Sequence, residues 1–199
     1  MTDAVRNKAR RHRKVSRLPP LPDPPPPQVA AWFERMEARG NSILNLHVAT
    51  AHAPSILAAK SPLAMALRNE CVSSRLHREL AIVRVGHLME CAYELDHHAP
   101  LLVECGMSQR QADAVGDWRA NAELFDEKCR AILAFVDAMV GDKGRVDDAT
   151  FSEFARHFSP QEIVEIAYNA VIYVANALIV NSLRIQLDEP HVRTTPGKF

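Results

Sequence analysis

From Gln28 onward the apolar residues recur three and four apart and nowhere settle into sustained alternation. That spacing stacks side chains on one face of a helix and leaves no place for a strand. The chain therefore reads as all-α, a bundle of about seven to nine helices. Local signals punctuate it. Gly40 closes a first helix as a left-handed cap. Asn41 or Ser42 opens a second that ends near Pro54, and Pro54 suits the first turn of a third, through Ala66, that Pro62 is expected to kink or split. Ser74 caps the run RLHRELAIVRVGHLM, in which Leu76, Leu80, Val83 and Leu88 form much of a buried stripe. Met89 and Glu90 make a tight junction before a helix that Gly106 ends. Ser108 and Gln111 form a capping box for a short helix to about Val115. A longer helix follows from Phe125 to about Val140, then one in DDATFSEFARHF. Ser159, Pro160 and Glu162 start the last, running to about Leu187. Being apolar nearly all round, it is expected to be a central strut or a subunit contact.

With 199 residues, 47% hydrophobic and 24% charged, the chain has material for one sizeable core, so residues 28–199 read as one domain. The zero net charge conceals an asymmetry: residues 1–17 carry seven Lys or Arg against the single acid Asp3, which leaves the rest acidic. The stretch PPLPDPPPP at residues 19–27 reads as a stiff polyproline II spacer. Residues 1–27 are thus expected to be a disordered basic, proline-rich arm. Such an arm can touch nucleic acid or anionic lipid, but no aromatic residue interleaves the charges for stacking on bases, and a solvated tail is the preferred reading. The nearly uncharged run from Tyr168 to Leu183 is interrupted by three asparagines and falls short of the roughly 20 apolar residues that cross a bilayer. Prolines rather than an apolar core follow the basic residues, so no secretory signal is read. Four cysteines without a CxxC pair read as reduced thiols. A soluble, cytoplasmic chain without membrane contact is expected.

Chemistry concentrates in ECAYELDHHAP, Glu90 to Pro100. On a helix Cys91, Glu94 and His98 fall within about 60° of one another, while His97 points elsewhere. Glu94 and His98, four apart, are within hydrogen-bond reach, and Cys91 lies near the positive end of the helix. A carboxylate beside an imidazole stabilises its protonated form and makes an acid or base useful near neutral pH. By spacing alone, Glu and His four apart on a helix are more often a surface pair. Arg75, Arg78 and Arg84 are candidates to bind a substrate carboxylate bidentately, Arg84 foremost, or to pair with Glu79. Tyr93, Phe125, Tyr168 and Tyr173 line either a pocket or the core. Glu94 and His98, with Glu79 or His87, would be the metal ligands, but no HExxH or Cys-rich set is present, so no metal or other cofactor is expected.

The run RELAIVRVGHLMECAYELDHHAPLLVECGMSQRQADAV resembles the core of the carboxymuconolactone decarboxylase family, which includes alkylhydroperoxidase D-like proteins. ILNLHVATAHAPSILAAKSPLAMALR is similar to the segment preceding that core, and EIVEIAYNAVIYVANALI to the long helix closing the domain. The resemblance implies an all-helical fold, a homo-oligomer built through helix packing, a small-molecule substrate, and an active face at the start of the helix after the RE segment. In the peroxidase branch a Glu is followed, after eleven residues, by CxxCxxxH. Glu79, Cys91 and His98 match, and Glu94 stands where the second thiol belongs. Cys91 then has no partner three residues on for a local disulfide. Cys105, about 21 Å along a helix, is beyond the roughly 7 Å that a disulfide spans between α-carbons. YExxHH is similar to the decarboxylase-like branch, in which acid and base groups act on a small lactone without metal or cofactor, although Leu95 replaces the Trp that often follows the Glu there. The implied catalytic set is Glu79, Cys91, Glu94 and His98, with Tyr93 and Arg84 against the substrate. Thiol-dependent peroxide reduction through Cys91 and a non-catalytic helical oligomer that binds metal or a partner are the alternatives.

Overall fold

The computed structural model describes residues 14–189. Among them the regular elements are all helical: α1 (Pro27–Ala38), α2 (Asn45–Thr50), α3 (Pro54–Asn69), α4 (Arg75–Leu88), α5 (Ala92–Glu104), α6 (Gln109–Ala114), α7 (Glu127–Gly141), α8 (Asp148–Ala155) and α9 (Pro160–Leu183), with two short 3₁₀ turns between α6 and α7. The all-α expectation holds. Pro62 neither splits nor ends its helix, since α3 is continuous through it to Asn69. The chain groups into two compact units where the sequence suggested one domain from Gln28: one runs through Asn69 and takes up the chain again from Val180, and the other is Glu70–Ile179.

The first unit corrects part of the expected arm. Val15 and Leu21 are buried in the same cluster as Val29, Trp32, Phe33 and Ile43. Main-chain bonds from Arg17 N–H to Leu183 O (2.8 Å) and from Gln186 N–H to Val15 O (2.9 Å) tie these residues down. Two apolar side chains between the basic and proline-rich stretches suffice to anchor the segment, so order begins before Gln28. The remainder of the expected disorder, residues 1–13, lies outside the described residues.

The second unit is organised by α4 and α5, and α4 packs on α7 as well. The α4–α5 junction is tight for a stated reason. Met89 caps α4, Glu90 takes φ 48°, and Cys91 N–H reaches back to Gly86 O at 2.9 Å. This is a Schellman turn with a non-glycine residue in the left-handed position that usually demands glycine. Cys91 is at once the end of that turn and the N-cap of α5. The two helices then return past each other at Gly86, where a Cβ would come within 2.8 Å of Leu95 Cδ2. Close approach here sets Glu79 of α4 against His98 of α5.

The last helix has two faces rather than one. Ile166, Ala170 and Ala177 are fully buried, whereas Val164, Tyr168, Val171 and Leu178 are 50–56% exposed. It is not the enclosed strut that is one of the two sequence expectations. It ends at Leu183, short of Leu187, because Arg184 turns to φ 49° and Ile185 N–H closes on Val180 O at 3.0 Å. By length and composition α9 is also the one described helix long and apolar enough to cross a membrane.

Candidate active site

Ser74 fixes where α4 begins, its hydroxyl accepting from His77 N–H, and so fixes which residues of α4 face α5. Glu79 is one of them. Its Oε2 lies 2.7 Å from His98 Nδ1, and its Oε1 accepts from Arg75 Nε at 3.3 Å, one turn earlier on α4. Glu94 faces the other ring nitrogen, 3.7 Å from His98 Nε2, a length too great for a hydrogen bond. Tyr173 of α9 sets its ring edge-on against the imidazole, centroids 4.6 Å apart. Glu79, Glu94 and His98 are only 3–5% exposed.

Spacing along α5 placed Glu94 within hydrogen-bond reach of His98; in the structure it is Glu79, from α4, that makes the direct bond, and Glu94 stands farther off. Burial alone would raise the Glu79 carboxyl, but the charge and hydrogen bond of His98, together with Arg75, outweigh it and hold the group below its usual range. Glu79 is therefore an ionised, acceptor-only partner, and the proton in the 2.7 Å bond sits on His98 Nδ1.

Cys91 stands at the N-cap of α5 with its side chain fully buried. Burial pushes its thiol up. The backbone N–H groups of Glu94 and Tyr93 pull it down, the Glu94 carboxylate adds to the rise, and the net direction is upward. Cys105 caps the far end of the same 13-residue helix, and both thiols are free. Burial, then the charge of Glu79, raises Cys105 as well.

The two residues expected against the substrate are not gathered here. Arg84 lies five positions after Glu79, about 140° around α4. Its Nε is taken by Asp137 Oδ1, and its Nη1 donates to the carbonyls of Val115 and Gly116 at 3.1 and 2.8 Å. A guanidinium so occupied is a structural clamp. Tyr93 is buried and packs on His97, ring centroids 4.8 Å apart, away from His98. Arg78 is spent on Ser73, bonding both its carbonyl and its hydroxyl. Of the three arginines considered, Arg75 is the one at the site, its side chain 27% exposed. Of the four aromatic candidates, Tyr173 is the one on His98; Phe125 is core and Tyr168 is exposed. What separates Tyr173 from Tyr168 in sequence is only the helical phase, five residues or about 140°.

Among the described residues no group of three or more His, Cys, Asp or Glu side chains is placed to hold a metal ion. His87, the alternative to Glu79 as a metal ligand, lies instead with its ring where a Cβ on Gly116 would go.

Fifteen solved chains are similar in fold. An uncharacterized peroxidase-related protein from Silicibacter sp. TM1040 aligns at 19% identity over 91% of this chain and 93% of that one, with a TM-score of 0.72. A peroxidase-related protein from Ralstonia eutropha JMP134, described as an alkylhydroperoxidase AhpD core, aligns at 20% identity over 90% and 96%, TM-score 0.71. The debrominase Bmp8 aligns at 20% over 82% and 88%, TM-score 0.66. A cysteine-to-alanine variant of that debrominase, in complex with 2,3,4-tribromopyrrole, is similar too. At such identities the likeness is one of fold. No curated protein sequence matches the chain. The carboxymuconolactone decarboxylase family matches over residues 54–138, the span that holds α3, α4, α5, α6 and most of α7. Residues 54–138 are thus similar to the carboxymuconolactone decarboxylase family, and the fold around them is similar to that of alkylhydroperoxidase D-like proteins.

Proposed function

We propose that this chain is an acid–base enzyme in which His98 Nε2 moves a proton to or from a small compound bearing a carbonyl or carboxylate group. The observation that carries the reading is the 2.7 Å bond between His98 Nδ1 and the ionised Glu79. It fixes the ring's orientation and its Nδ1 proton, and so presents Nε2 as the nitrogen that exchanges. Arg75 holds Glu79 from behind and is the cation available to a substrate carboxylate. Tyr173 packs on the ring and limits water around it.

A γ-lactone acid is a fitting substrate class. Its carbon–carboxylate bond breaks, the electron pair enters a conjugated dienolate as carbon dioxide leaves, and the carbon is quenched by a proton that Nε2 takes from solvent and passes on, while Nδ1 keeps its own. The proton lost from the imidazole is replaced by water. No electron acceptor is required.

One observation favours a second reading. Cys91 sits at a helix N-cap with two backbone N–H groups toward its sulfur, a setting that stabilises thiolate. Thiol-dependent reduction of hydroperoxides would use that sulfur as nucleophile, and a debrominase and peroxidase-related proteins share the fold. Against it stand full burial, the raised thiol and Glu94 in the place of a resolving cysteine.

The two readings separate in one set of assays, lactone-acid turnover and hydroperoxide consumption with a dithiol donor, on three proteins. His98→Gln should lose turnover of the lactone acid by about 100-fold or more, while Cys91→Ser keeps it. Peroxide consumption abolished by Cys91→Ser, with no lactone turnover in the wild type, would overturn the acid–base reading.

A further inference from the structure

A hollow of about 320 Å³ lies in the second unit beside α7, and the site around His98 has no part in it. Small residues make its floor. Glu127, Arg130, Ala131 and Ala134 share one face of α7, at intervals of three, one and three, and positions 131 and 134 bring only methyl groups to it. Two walls are fixed by contacts elsewhere. The stacked rings of Phe135 and Phe154, centroids 4.3 Å apart, hold α8 against α7, and α8 brings Glu153 and, at its C-cap, Arg156 to the hollow. Trp118 is 5% exposed and has its indole N–H on Asp137 Oδ2 at 3.0 Å. Methyl groups beside a held indole make a setting for an apolar body of limited size.

The rim is charged, and its charges are not equally engaged. Glu153 and Arg156 pair with each other at 2.7 Å, and Glu153 takes His157 as well. Arg130 is tied through a single nitrogen: its Nη1 donates to the carbonyls of Phe125 and Ala122 at 2.5 and 3.5 Å. That steadies the guanidinium and leaves its Nε–Nη2 edge, the geometry that takes a carboxylate bidentately. Glu127, one turn earlier on the same face, is exposed, and among the described residues no cation pairs with it. We propose that the hollow binds a free α-amino acid with an apolar side chain. Its carboxylate lies on Arg130, its ammonium on Glu127, and its side chain on Ala131 and Ala134 against Trp118.

Size and charge decide between ligand classes. Ligand-holding cavities run from about 300 to 1,000 Å³, and this one is at the small end, which favours a body of amino-acid size over a nucleotide. A dicarboxylate or phosphate ester would set its second negative charge against Glu127, and a simple amine would leave the Arg130 edge unmet. A zwitterion with its two charges on adjacent atoms matches both, because side chains three apart on a helix are about 5–6 Å apart at Cβ. The hollow shares no residue with the His98 constellation, so the proposal stands apart from the acid–base reading.

The test is calorimetric titration of the full chain with L-phenylalanine, and with 3-phenylpropionate and 2-phenylethylamine, which lack one charge each. Phenylalanine should bind one to a chain, and each truncated probe at least about tenfold more weakly. Glu127→Gln, at an exposed position with no cation to strand, should bring phenylalanine down to the affinity of 3-phenylpropionate. Ala134→Leu, which fills the hollow, should abolish binding with unchanged helical circular dichroism. Should that variant fail to fold, the wild type still decides: in nitrogen-15 spectra the indole N–H of Trp118, assigned by Trp118→Phe, should shift on addition of phenylalanine while that of Trp32 stays in place. No binding of phenylalanine up to about 10 mM, equal binding of 3-phenylpropionate, binding unchanged in Glu127→Gln or in a folded Ala134→Leu, or a shift at Trp32 alone would each overturn the proposal.

Discussion

Two charge networks hang from α4, and they differ in one component. On one side Asp137 receives Arg84 Nε on Oδ1, and on Oδ2 both Trp118 Nε1 (3.0 Å) and Arg119 (3.1 Å). On the other, Glu79 receives Arg75 and His98. The first is built of permanent partners: a guanidinium cannot give up its proton, and Nη1 of Arg84 ends on two backbone carbonyls. The second contains an imidazole whose far nitrogen faces Glu94 across 3.7 Å. Both hold α4 against its neighbours. Only the second can move a proton, and that separates a clamp from a site.

Substitutions should break this contrast in graded fashion. The largest loss of stability is expected for Asp137→Ala, which strands a mostly buried guanidinium and should cost about 3–5 kcal/mol in denaturant unfolding. Lactone-acid turnover per folded molecule should stay within a few fold of wild type. Glu79→Gln should cost less, about 1–3 kcal/mol, since the amide oxygen still accepts from Arg75 and its NH2 can donate to His98 Nδ1 once the ring proton has moved to Nε2. Yet it should lower kcat about 100-fold with little change in KM and alter the pH profile, which a purely structural role would not do. A smaller effect of opposite sign is expected at the α4–α5 junction. Glu90→Gly relieves a non-glycine residue at φ 48° and should stabilise the fold by up to about 1 kcal/mol, without moving the site.

The smallest effect appears only in acid. Glu165, which accepts the N–H groups of Val72 and Ser73, is held at about 2, below the usual 4.5. Burial opposes that shift, and the hydrogen bonds from Ser73, Val72 and Gln161 outweigh it. A carboxyl with its folded pKa depressed contributes stability that is complete above the unfolded value and is lost as pH falls through the folded one. Glu165→Gln should therefore flatten the pH dependence of the unfolding midpoint between about pH 4.5 and 2, where wild type loses stability on acidification. Equal slopes in both proteins would show that Glu165 is not the group responsible. Glu79 adds to the wild-type slope in the same direction.

The sequence carried the helices well because their ends are written in local chemistry. Ser74, Ser108 and Gln111 cap where their side chains predict, and Gly40 and Gly106 turn left-handed as expected. The site was legible as far as helical phase reaches, which groups Cys91, Glu94 and His98 on one face of α5. It could not tell which carboxylate touches His98, because the contact with Glu79 crosses from one helix to another and depends on the close approach at Gly86. The pairing of Arg84 was hidden for the same reason: its partner, Asp137, is 53 residues away. Val15 and Leu21 were overlooked because a proline-rich stretch shows no periodicity by which burial can be read.

The claim on which the rest depends is that Glu79 holds a proton on His98 Nδ1 and leaves Nε2 for substrate. Nitrogen-15 NMR of histidine-labelled protein, with His98 assigned by its disappearance in His98→Gln, reads this directly. At neutral pH the account predicts a protonated Nδ1 on His98 that loses its hydrogen-bonded shift in Glu79→Gln. A His98 ring protonated on Nε2 alone, unchanged by that substitution, would contradict it.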